Sequence, residues 1–153
     1  TSTAGYTGAD AWFDLPGKGI VHAPLANVHQ YLNERRIFLG PDTLPKLNSP
    51  IGGTATVDGK DYNTISGALA DVPNGRVILF FDQKTNLLVR STFTYRTLYG
   101  AIAQVNEYSN YQKVGSAMFP MMVVNHSADK DLVLTFKSVK PETIPATAFE
   151  APK

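Results

Sequence analysis

Residues 76–95 read RVILFFDQKTNLLVRSTFTY, and residues 101–126 read AIAQVNEYSNYQKVGSAMFPMMVVNH. Val77, Ile78, Leu79, Phe80 and Phe81 form an unbroken apolar run. A half-exposed antiparallel strand alternates apolar and polar residues instead. The polar stretch Asp82-Gln83-Lys84-Thr85-Asn86 then turns the chain back into a second apolar run. A hairpin apolar on both faces must bury both, so 76–95 is expected at the centre of a sheet. Phe80 and Phe81 then point to opposite faces, because strand side chains alternate. One face packs under a covering element, and the other lines a core or an apolar cavity. The choice between core and cavity is the functional question this stretch poses.

Working outward, strands are expected near 54–58, 61–67, 76–82, 87–96, 101–111, 117–126 and 131–139. Val57-Asp58-Gly59-Lys60 places Asp-Gly between β-compatible runs, a strong hairpin signal. Asp82–Asn86 and the 127–130 stretch (Ser-Ala-Asp-Lys) punctuate the later strands. Before them, residues 5–21 read as two short strands around Pro16-Gly17-Lys18-Gly19. A single helix is expected over 24–38. Pro24 suits its first position, Leu25, Val28 and Leu32 fall at helical spacing, and Gly40-Pro41 stops it. Residues 41–53 read as a connector. The last fourteen residues, with Pro141, Pro145 and Pro152, read as extended chain outside any central strand. The expected fold class is mainly β (α+β), a curved antiparallel sheet or incomplete β-barrel with one helix packed against it.

At 153 residues the chain fits one domain with a substantial core. Hydrophobic residues make up 43% and charged residues 18%, outside the disordered class. Fourteen basic residues oppose thirteen acidic ones, and no basic cluster exceeds Arg35-Arg36, so a nucleic-acid footprint is absent. No stretch approaches the roughly 20 apolar residues a membrane-spanning helix requires. The absence of cysteine excludes disulfides, thiolate metal sites, covalent c-type haem attachment and a cysteine nucleophile within this segment. The first residue is Thr1 and no signal peptide precedes it, which reads as a processed or partial chain.

His22, His29 and His126 stand in no metal-ligand spacing, and no metal or cofactor is expected. The serines lack a G-x-S-x-G context and no glycine-rich phosphate loop follows a strand. Met118, Met121 and Met122 cluster beside Phe119 and Pro120 in one strand. Methionine suits adaptable apolar pockets as well as cores, and core packing is the commoner role. Pro120 inside this run implies an edge position or a bulge. The tyrosines Tyr95, Tyr99, Tyr108 and Tyr111 suit the rim of an opening or an interface, polar tip in water and apolar body inward.

FFDQKTNLLVR (80–90), then Tyr99-Gly100, VNEYSNYQKVGSAMFP (105–120) and the closing SVKPETIPATAFEAPK resemble the outer-membrane lipoprotein-sorting, LolA/LolB-like superfamily. Its members carry a "yFD-x-x-tg-LL-x-R" hairpin, a "y-x-d-Y-x-x-v-dG-x-x-x-P" hairpin and a tail ending "F-x-x-P". VDGKDYNTI (57–65) is similar to the family's "vdGrdyyvi" pair, and GADAWF (8–13) is a weaker echo of "g-x-x-gW". The match covers about residues 55 to 153. Asn86 stands at the usual turn glycine, and Gly115-Ser116 where Asp-Gly is usual. The family fold carries further strands before the GADAWF segment. The resemblance therefore implies one LolA/LolB-like half-barrel domain over 1–153, which either lacks its first strands or uses a reduced sheet.

The resemblance implies a non-enzymatic, exported protein of the periplasm or cell envelope. Its concave face would bind an acyl chain, a lipoprotein or an apolar partner segment. Phe81, Leu88, Phe93, Met118, Met122 and Leu134 are the expected lining residues. The alternative is an accessory domain of an envelope electron-transfer complex, with a c-type cytochrome or photosynthetic reaction-centre assembly as partner. As part of the resemblance, this domain can also follow a c-type cytochrome segment in similar bacterial sequences. An enzyme ranks third, because no catalytic constellation is visible in the residues.

Overall fold

Asp58 and Gly59 both take positive φ, 51° and 76°, as a two-residue hairpin turn requires. The strands they join open the larger sheet. A computed structural model describes residues 3–7, 11–22, 47–69, 74–97, 100–126, 130–140, 143 and 145–150 of the chain. The helix expected over 24–38 lies outside the described residues. The chain divides into two units, Thr1–Asn33 with Glu142–Lys153, and Glu34–Pro141.

The second unit is an open antiparallel sheet of seven strands. In chain order these are β4 (Leu47–Val57), β5 (Lys60–Leu69), β6 (Arg76–Asp82), β7 (Leu88–Thr97), β8 (Gly100–Val114), β9 (Ala117–His126) and β10 (Asp131–Thr135). Their order is β10-β9-β8-β7-β6-β5-β4, a meander in which every neighbour in sequence is a neighbour in space. The two-sided apolar hairpin, β6 with β7, falls at its centre, as its pattern predicts. Asp82 builds the turn between them. Its carboxylate accepts from the Lys84 and Thr85 backbone N–H groups at 3.1 and 3.0 Å. Asn86 takes the left-handed conformation, φ 56°, that glycine otherwise supplies.

Strand lengths differ from expectation where local irregularities absorb awkward residues. β4 begins at Leu47, inside the expected connector, because a register shift between Asn48 and Ile51 takes up Ser49 (φ 48°) and Pro50. β10 is shorter than expected and ends at Thr135. Pro120 is not on an edge strand. It lies opposite Tyr111 within β9, next to Asn110 of φ 54°, where the β8–β9 pairing skips a step. Proline offers no N–H to that ladder, and the left-handed asparagine marks the interruption.

Among the described residues the first unit holds β1 (Thr3–Tyr6), β2 (Ala11–Leu15) and β3 (Gly19–His22), in the order β1-β2-β3; β2 and β3 are the two strands expected around Pro16-Gly17-Lys18-Gly19, and β1 is added to them. Gly5 pairs opposite Trp12, and any Cβ there would stand 2.5 Å from the indole. The buried Trp12 donates its Nε1–H to the Phe149 carbonyl at 3.0 Å. Phe149 ends a 3-10 turn, Ala146–Phe149, in the tail expected to be wholly extended.

Candidate functional site

Alternation along each strand and the observed register sort the large sheet into two faces. Leu69, Val77, Leu79, Phe93, Tyr108 and Val123 share the inner face and form its buried core. Val77 pairs with Phe93, and Tyr108 pairs with Val123, so the layer runs unbroken across β6, β7, β8 and β9. Phe93, on the central strand, is completely enclosed. Full burial of such a side chain contributes about 1.5–3 kcal/mol. Gly67 lets β4 approach closely, since a Cβ there would lie 3.2 Å from the Asn48 carbonyl oxygen and from Leu47. The layer then runs out toward β10, where Leu132 is 53% and Leu134 36% exposed.

A line of neutral polar groups is set into this apolar face. Asn125 Nδ2 donates to Asn106 Oδ1 at 2.6 Å, and Asn106 Nδ2 donates to Ser91 Oγ at 3.2 Å. Ser91 Oγ and the Tyr108 hydroxyl share a hydrogen bond of 2.9 Å. All four residues are buried, and Ser91 pairs with Asn106, which pairs with Asn125, straight across β7, β8 and β9. Among the described residues no buried side-chain polar atom lacks a partner. Burial pushes the Tyr108 phenol far above its ordinary value, more than the Ser91 hydrogen bond can offset. Burial likewise pushes Tyr111 up to about 12, and its hydroxyl donates to the Leu88 carbonyl. These two tyrosines are therefore core and wall groups, not the exposed rim expected for them. The side chain of Tyr95 and all of Tyr99 lie outside the described residues.

The outer face carries charge and a second aromatic cluster. Arg90 meets Glu107 at 3.3 Å, Glu107 meets His126 Nε2 at 3.4 Å, and His126 Nδ1 meets Asp131 at 2.9 Å. This alternating row ties β7 to β10 across four strands. The Asp131 hydrogen bond, assisted by Glu107, raises the His126 pKa above its ordinary value against slight desolvation. Further along, Lys60 bridges to Asp82 at 2.8 Å and stands 5.2 Å from the Tyr62 ring. Tyr62 meets Phe80 edge to face at 6.2 Å, which helps bury Phe80 on the face opposite Phe81. Among the described residues no cluster of three or more His, Cys, Asp or Glu is arranged to hold a metal ion.

Of the residues expected to line a ligand site, Phe81, Leu88, Phe93 and Leu134 share the inner face. Phe81 and Leu88 are register partners that pack against the core. Met118 and Met122 alternate with Phe119, Met121 and Val123 along β9, so they stand on the outer face. Ser91, Asn106 and Asn125 escaped sequence reading because each looks like an ordinary polar strand residue alone. Only the hairpin registers bring them into one line.

The architecture is that of an open, antiparallel sheet protein with one apolar face. Two solved structures share it over most of this chain. A LolA superfamily protein from Nitrosomonas europaea matches at a TM-score of 0.60 and 18% identity, covering 92% of this chain and 66% of its own. A domain from Vibrio parahaemolyticus assigned as an outer membrane lipoprotein-sorting protein matches at 0.56 and 13% identity, covering 84% and 58%. The chain thus has the fold of the LolA superfamily and lipoprotein-sorting domains, and spans less than two thirds of each matched chain's length. No protein-family profile and no curated protein matches it.

Proposed function

We propose that this chain is a non-enzymatic carrier or binding scaffold for a hydrophobic ligand, an acyl chain or the lipid part of a lipoprotein, in the periplasm or at the cell envelope. The observation that carries the reading is the inner face. It is a continuous apolar layer on an open sheet of LolA-type fold, and it reaches solvent at Leu132 and Leu134. The exposed apolar end of the layer, at Leu132 and Leu134, is the kind of surface that marks ligand and partner sites. Phe81, Leu88 and Leu134 are the proposed ligand contacts, with the enclosed Phe93 packed beneath them in the core. Met118 and Met122, on the outer face, are proposed contacts for an apolar partner segment. Among the described residues no helix is long and apolar enough to cross a membrane.

The test is titration with an environment-sensitive hydrophobic fluorophore, followed by competition with a long-chain fatty acid. Saturable binding and full displacement are expected, with binding weakened by Leu134→Lys, an exposed position whose substitution leaves the core intact. Non-saturable fluorescence, or a signal that fatty acid leaves unchanged, rejects ligand binding. That outcome favours a docking module within a larger envelope assembly.

A further inference from the structure

We propose that the free edge of β10 pairs with β10 of a second copy of this chain, antiparallel about a two-fold axis at Val133. β10 is the terminal strand of the sheet, and all five of its residues are exposed. Phe136 donates its N–H to the Met121 carbonyl at 2.9 Å, which sets the parity of the β9–β10 ladder. Leu132 and Leu134 therefore turn their N–H and C=O groups toward β9. Asp131, Val133 and Thr135 turn theirs outward, where no strand of the sheet pairs with them among the described residues.

The sequence of the strand, Asp-Leu-Val-Leu-Thr, is near-palindromic about Val133. A two-fold axis there makes Val133 and Val133 of the second copy a hydrogen-bonded pair, both using outward-facing groups. Asp131 meets Thr135 of the other copy on either side, again through outward-facing groups. Leu132 meets Leu134 of the second copy at the intervening non-hydrogen-bonded positions, where side chains approach most closely. These leucines are 53% and 36% exposed and Val133 56%, so apolar surface on both faces of the strand is covered together. Lys130 stands opposite Phe136, so no like charges face each other. Asp131 is already held by His126.

The other edge of the sheet is built differently. β4 carries Pro50 and the left-handed Ser49 within a register shift, followed by Gly52-Gly53, features that blunt an edge against pairing. β10 has neither proline nor bulge. Pairing is thus directed to one edge, and it produces a closed dimer rather than a fibre, because the two-fold operation consumes that edge in both copies.

A single five-residue edge is a small interface, so dissociation constants of about 10–100 µM are expected. Sedimentation equilibrium from about 10 µM to about 1 mM, bracketing that range, tests the proposal. The wild-type mass should rise from monomer to dimer across it. Val133→Pro should stay monomeric with an unchanged far-UV spectrum, because the lost N–H points away from β9 and the intrachain ladder survives. Val133→Lys, which sets two ammonium groups beside the axis at an exposed position, should also stay monomeric and reads the same interface if the proline variant unfolds. A wild-type monomer throughout, or a folded variant that still dimerises, overturns the proposal.

Discussion

Asn106→Leu is the substitution whose cost the structure defines best. Asn106 is 2% exposed, and its side chain accepts from Asn125 at 2.6 Å and donates to Ser91 at 3.2 Å. Leucine fills similar volume, so little cavity opens and the effect isolates the polar groups left behind. The Asn125 amide loses its partner in a buried site, which costs about 1–3 kcal/mol. Ser91 keeps Tyr108, so its lost bond costs about 0.5–1.5 kcal/mol. Together the change should destabilise the protein by about 2–4 kcal/mol. With a urea slope of about 2 kcal/mol per molar, the unfolding midpoint moves down by about 1–2 M. The combined Ser91→Ala, Asn106→Leu, Tyr108→Phe and Asn125→Leu variant removes every partner at once. It should be less destabilised than Asn106→Leu alone, because no buried polar group is orphaned. An unchanged midpoint and slope for Asn106→Leu, or a quadruple variant worse than the single, would refute the reasoning.

Phe80→Ala, which empties a buried site against Tyr62, should cost about 3–5 kcal/mol and exceed the cost of Phe81→Ala at a half-buried one. Thermal unfolding of the two variants ranks them, and the reverse order would mean that the outer face is not packed at Phe80. His126 has a folded-state pKa above 6.5, so the stabilisation from its charged ring is complete below pH 6.5 and is lost as pH rises through the folded value. Hydrogen exchange of the Leu132 and Leu134 amides, corrected for intrinsic rates, should therefore show weaker protection toward alkaline pH. His126→Gln should flatten that dependence, and a wild-type profile already flat from pH 6 to 9 would detach His126 from the β10 edge.

Much of the fold was legible because its determinants are local. The unbroken run 77–81 demanded burial on both faces and so the centre of the sheet. Asp58-Gly59 and Asn86 could be read as turns because few residues accept positive φ. Lengths were less legible, since the register shift at Ser49 and Pro50 depends on which strand lies alongside. The same dependence governed the site. Phe81, Leu88, Phe93 and Leu134 meet on one face while Met118 and Met122 stand on the other, and a strand reveals its facing only through register.

Local chemistry along the chain determined that this is an antiparallel meander with a doubly apolar central hairpin and no cysteine chemistry. Pairing across strands decided the rest. It joined Ser91, Asn106, Tyr108 and Asn125 into a buried polar line and turned Tyr108 and Tyr111 from a rim into core and wall. It also left β10, and not β4, with an open and self-complementary edge. Hydrogen-bonding partners and burial are properties of residues brought together from distant positions, and a linear pattern records each of those residues separately.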